Sequence, residues 1–144
     1  MTPFVIFESE NGRIVIMDSI APITDKNEGD IIVCGSHGGK SAAGHAVKFK
    51  PKGIIFNDAG KGKEDAGIGG LEILEKEGII GVTVDAFSAR IGDGQDSYNS
   101  GVISAVNELA RQVGVKIGNS AREAVLKMLD ATKEEREDIY REKD

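Results

Sequence analysis

Residues 30–50 read DIIVCGSHGGKSAAGHAVKFK. Ile31, Ile32 and Val33 form a short apolar run of the kind that makes a strand buried on both faces. Small residues follow from Cys34 to Gly39. Ala42, Ala43, Ala46 and Val47 then recur at helical spacing, and Pro51 stops the segment. Strand, glycine turn and helix within about twenty residues make half of a βαβ unit. In that geometry the free N–H groups at the helix start face out from the carboxyl end of the strand. Function is expected there.

Working outward, the same alternation continues. Gly53-Ile54-Ile55-Phe56 reads as a second buried strand that ends in Asn57-Asp58. Asp65 reads as the N-cap of a helix with Ile68, Leu71 and Leu74 inward, closing at Gly78. Ile79–Val84 reads as a third strand, ending in Asp85-Ala86-Phe87-Ser88-Ala89-Arg90. A helix is then expected with Val102, Val106, Leu109 and Val113 on one face, and a last one over 121–132 with Ala121, Val125, Met128 and Leu129 as its apolar stripe. Upstream, Phe4–Ser9 and Arg13–Asp18 flank Glu10-Asn11-Gly12, which reads as an antiparallel hairpin. The expected fold is a three-layer Rossmann-like α/β domain with a mostly parallel sheet, an N-terminal β-hairpin and a C-terminal helical extension. Residues 1–132 form the single domain; residues 133–144, nearly all charged, form a helical extension or tail whose apolar residues are Ile139 and Tyr140.

Composition narrows the function classes. A chain of 144 residues suits one domain. The net charge of −6 leaves no basic face to displace counterions from a nucleic acid, so that partner is excluded. The single cysteine allows no internal disulfide and no zinc cluster. Without a signal-like leader or a long apolar run, the chain reads as cytosolic, with no membrane partner. No cofactor is assigned from the sequence.

Three templates compete for the central turn. Gly39-Lys40-Ser41 ends like a phosphate-binding P-loop, but the required first glycine would fall on Cys34, and Gly35 leaves the loop one residue short. The run VCGSHGG resembles the nucleophile elbow of α/β-hydrolases, with Ser36 as the nucleophile. Cys34 stands where that pattern has glycine, and the only bases available are His37 and His45, so a complete Ser-His-Asp triad is not expected. The third template needs only N–H groups of Gly38, Gly39 and Lys40 at the helix start, with Ser36, Ser41 and the Lys40 side chain as further donors, to take a carboxylate or phosphate.

The expected function is therefore a small-molecule enzyme, hydrolase- or lyase-like, that binds an anionic metabolite. Ser36, His37, Asp58 and Asp85 are the catalytic candidates; Gly38, Gly39, Lys40, Ser41, Asn57, Ser88 and Arg90 are the binding candidates. His37 is the preferred general acid/base because its ordinary pKa lies near neutrality. Asp58, Asp85 and Asp93 could alternatively hold Mg²⁺, although no motif spacing links them, and no metal site is assigned. The alternative reading is a non-catalytic regulatory module for a small anion or nucleotide. The run Gly60, Gly62, Gly67, Gly69, Gly70 implies either a moving lid or a close backbone approach. A homo-oligomer, a dimer, is expected through the 121–132 helix, because no partner for its stripe is evident within the chain.

Overall fold

The computed structural model describes residues 3–131. One six-stranded sheet carries the fold: β1 (Phe4–Ser9), β2 (Gly12–Met17), β3 (Ile31–His37), β4 (Gly53–Asn57), β5 (Ile80–Val84) and β6 (Ile103–Val106). Their order across the sheet is their order in the chain. β2 to β5 are parallel, and the two outer strands, β1 and β6, run antiparallel to their neighbours. The expected hairpin and the three expected central strands are all present.

Both faces of the sheet are buried from β2 to β5, and side-chain alternation decides what covers each. Val15, Met17, Ile32, Cys34, Ile54 and Phe56 point to one face, where Ala43 and Ala46 of α1 (Lys40–Ala46) and Leu71 and Leu74 of α2 (Leu71–Lys76) meet them. Ile14, Ile16, Ile31, Val33, Ile55 and Val82 point to the other. That face is covered by α4 (Glu108–Gln112) and α5 (Ala121–Asp130), with α3 (Gly94–Ser100) lying against β2 and β3. The three connections between parallel strands all bury their apolar residues on the α1/α2 face. A sheet that advances in one direction through crossovers of one hand must place them so. The layers are those of the expected three-layer α/β domain. The strand order never reverses, however, so the crevice that forms at a reversal point is not built by this sheet.

Three expected elements differ. The stretch from Val102 to Val113 is not one helix: β6 occupies 103–106, and α4 starts after Asn107, whose side chain accepts the Ala110 N–H. Asp65 caps no helix; Glu64 and Asp65 sit in left-handed backbone inside a 3₁₀ stretch over Lys63–Ile68, and α2 begins at Leu71. The stripe of α5 needs no second chain. Ala121, Ala124, Val125, Met128 and Leu129 are buried against the chain's own sheet, which removes the reason for an interface through that helix. The charged segment 133–144, with Ile139 and Tyr140, lies outside the described residues. Among the described residues no helix is long and apolar enough to cross a membrane.

Candidate functional site

Parallel strands deliver their carboxyl ends to one side of the sheet. In register there are His37, Asn57 and Val84, followed by Asp58 and Asp85. Two loops close over this row. The loop after β5 is clasped to β3 by the Gly92 N–H donating to the Gly35 carbonyl at 2.7 Å, while the Gly35 N–H donates to the Asp18 carbonyl at 2.9 Å. Backbone runs so close here that a Cβ on Gly35 would lie 2.2 Å from the Asp93 nitrogen. The loop after β4 packs on the central turn from the other side. A Cβ on Gly70 would lie 2.5 Å from the Gly39 oxygen, and the Gly70 N–H donates to the Gly38 carbonyl at 2.8 Å. Within the glycine run, Gly67 and Gly70 make the close backbone approach, whereas a Cβ on Gly60 or Gly62 would meet nothing within 4 Å and their positive φ is what calls for glycine.

Most of the expected polar residues are staples of these loops. Asn57 is fully buried; its Nδ2 donates to the Ala89 carbonyl at 3.1 Å and its Oδ1 accepts the Ala59 N–H at 2.8 Å. Asp58 is buried, with Oδ1 accepting the N–H groups of Gly60 at 2.8 Å and Ala86 at 3.0 Å. Asp85 Oδ1 accepts the Phe87 N–H at 2.8 Å. The Ser88 hydroxyl donates to the Asp85 carbonyl at 2.7 Å and accepts the Val102 N–H at 2.9 Å, so both its roles are used. Asp93 caps α3 by accepting the Asp96 N–H. Asp58, Asp85 and Asp93 thus each serve their own or a neighbouring loop. Among the described residues no group of three His, Cys, Asp or Glu side chains is arranged to hold a metal ion.

Ser36 and His37 part company. Both lie at the end of β3, where its ladder with β4 is irregular between Val33 and His37, and their side chains have different surroundings. The Ser36 hydroxyl is half-buried and accepts the Ile20 N–H at 3.0 Å. Among the described residues no hydrogen bond joins it to His37, and Ser36 stays within β3, so no strand-to-helix turn lifts it out as a nucleophile. Cys34 is buried, its thiol near the Ile55 carbonyl at 3.5 Å. Burial pushes that thiol up to about 12, against a smaller opposing effect of hydrogen bonding from Ser36. It is not a nucleophile near neutral pH.

His37 is exposed and makes no hydrogen bond among the described residues. Its ring lies against the start of α1: a Cβ on Gly39 would sit 2.8 Å from its Nδ1 and Cε1. The Gly38 N–H is spent on the Asn57 carbonyl at 3.0 Å and is no anion donor. The N–H groups of Gly39, Lys40 and Ser41 have no acceptor among the described residues. The Lys40 side chain extends over Gly69 instead of the strand ends. Ser41 is exposed. Arg90 is exposed too; Asp96 accepts its backbone N–H at 2.8 Å, and its guanidinium has no partner among the described residues.

Two further features adjoin these loops. Asp18 Oδ1 accepts the Gly94 N–H at 3.0 Å, and that bond holds the carboxyl below its usual pKa. A groove of about 680 Å³ runs between α2 and β6, with Ile68, Leu71 and Ala105 among its apolar lining and Glu64, Asp65 and Glu72 among its carboxylates. Its walls come from chain segments some thirty residues apart, so no local pattern announces it. No protein family, curated protein or solved structure matches this chain.

Proposed function

We propose that this chain binds a small anionic metabolite at the turn between β3 and α1, and that His37 exchanges a proton with it. One observation carries the reading: an uncommitted imidazole lies against Gly39, beside three N–H groups that have no acceptor among the described residues. Protonated, the imidazole adds a donor and a charge to those N–H groups; neutral, it can take a proton from the bound molecule. A covalent route through Ser36 or Cys34 has less support, since the first sits within the strand away from His37 and the second is a buried, high-pKa thiol. The proton-transfer reading is therefore nearer a lyase or isomerase than a hydrolase.

The second reading is binding without turnover. It is favoured by the commitment of Asp58 and Asp85, the carboxylates best placed in sequence to orient His37, to backbone N–H groups. Amide NMR during titration with phosphate, acetate and 2-hydroxy acids tests both. Saturable shifts at Gly39, Lys40 and Ser41 are expected, abolished in His37→Ala. Shifts that are absent, or unaltered by that substitution, refute the site. Binding with no turnover of hydroxy acids, esters or amides assigns the regulatory form.

A further inference from the structure

We propose that the loop following β5 docks into the groove between α2 and β6 of a second copy of this chain. Phe87 is 96% exposed, yet it does not sit on a loose loop. Asp85 takes the Phe87 N–H on its side chain and the Ser88 N–H on its carbonyl; Asp58 takes the Ala86 N–H; Asn57 donates to the Ala89 carbonyl. An aromatic ring displayed in water from a backbone tied at every step is a preformed anchor, with little ordering entropy left to lose on contact. Ile91, 57% exposed, and the unpartnered guanidinium of Arg90 flank it.

The groove has the opposite character. Ile68, Leu71 and Ala105 supply an apolar lining, and the charged residues around it are the carboxylates of Glu64, Asp65 and Glu72 together with Lys40 and Lys76. Apolar anchor meets apolar lining, and the Arg90 cation meets a lining in which carboxylates outnumber the lysines Lys40 and Lys76. One molecule therefore carries both halves of a complementary contact on different surfaces, which is the condition for self-association by a heterologous contact. The groove adjoins the anion site through Lys40, but the contact does not need a ligand at His37.

Sedimentation velocity of the full chain across the micromolar range tests it, at low ionic strength because the charged part is screened by salt, and without phosphate, which would compete for Arg90. The wild-type mass is expected to rise above the monomer with concentration. Phe87→Ala removes the anchor and leaves the groove; Glu72→Arg keeps the anchor and puts a long cation at the groove. Both positions are exposed, and circular dichroism checks that each variant is folded. Each alone is expected to associate at least about thirtyfold more weakly, the scale of losing an interface hot spot. An equimolar mixture is expected to regain association, because the anchor of one variant meets the intact groove of the other. A wild-type protein that stays monomeric overturns the proposal. So does a Phe87→Ala variant that associates like wild type, which would move the contact to another surface such as the exposed Phe4, Val5 and Phe7 of β1. A mixture no better than its components also overturns it.

Discussion

Replacing Gly35 by alanine tests the contact on which the strand-end site is built. The added Cβ would lie 2.2 Å from the Asp93 nitrogen, 2.5 Å from the Gly92 carbonyl carbon and 2.7 Å from the Gly92 Cα. All three are backbone atoms, so no side chain can swing away, and loop and strand must separate by roughly an ångström to reach ordinary van der Waals contact. Overpacking of this kind costs typically about 2 kcal/mol. The separation also strains the 2.7 Å Gly92-to-Gly35 bond, for roughly 1 kcal/mol more. The expected loss is about 3 kcal/mol, a fall in Tm of roughly 10 °C for a domain of this size. Gly44→Ala is the control. Gly44 lies within α1, and a Cβ there has nothing within 4 Å, so the substitution is expected to raise stability by about 0.5–1 kcal/mol through helix propensity alone. Urea unfolding followed by circular dichroism reads both variants. A Gly35→Ala variant within about 0.5 kcal/mol of wild type, below the range expected for overpacking, would refute the close approach and with it the clasp that positions the loop after β5.

Other consequences can be measured on the same protein. Asn57→Ala leaves the Ala89 carbonyl and the Ala59 N–H without their side-chain partner and is expected to cost about 3 kcal/mol in the same assay. The Cys34 thiol, raised by burial to about 12, is expected to resist a thiol reagent at pH 8 in the folded protein and to react fully in denaturant; rapid labelling of the native state would contradict its burial. Asp18 has a folded-state pKa below its unfolded one, so its contribution to stability is complete above the unfolded value of about 3.9 and fades as pH falls through the lower folded value. Asp18→Asn should therefore flatten the acid limb of the stability–pH curve; an unchanged limb in urea titrations below pH 4 would show that Gly94 does not hold that carboxylate.

The fold was legible where apolar periodicity had one reading. Ile31-Ile32-Val33, Ile54-Ile55-Phe56 and Ile79–Val84 are too short and too apolar for surface helices, and Asn11-Gly12 marks the hairpin without ambiguity. Val102, Val106, Leu109 and Val113 have two readings. Their spacing fits a helical face, while Val102-Ile103-Ser104-Ala105-Val106 equally fits a β-rich strand, and Asn107 as an N-cap breaks the tie only once Ala110 is seen bonded to it. The α5 stripe was read correctly as buried and wrongly as unpartnered, because chain order does not reveal which face of the sheet a last helix returns to. The strand-end polar residues show a different limit. Asn57, Asp58 and Ser88 look like ligands in sequence, and their partners lie in backbone of loops 14 to 32 residues away or a turn away, which no side-chain pattern encodes.

Because every ladder in this sheet joins consecutive strands, assembly can proceed by accretion. The hairpin closes through the turn at Glu10-Asn11, and each later strand finds its template already laid down by the segment synthesised just before it. Doubly wound sheets must bring strands distant in the chain side by side before their centre exists; here the centre grows outward from one edge. No strand waits on a distant part of the chain, and folding in the order of synthesis is the kinetic signature of that order.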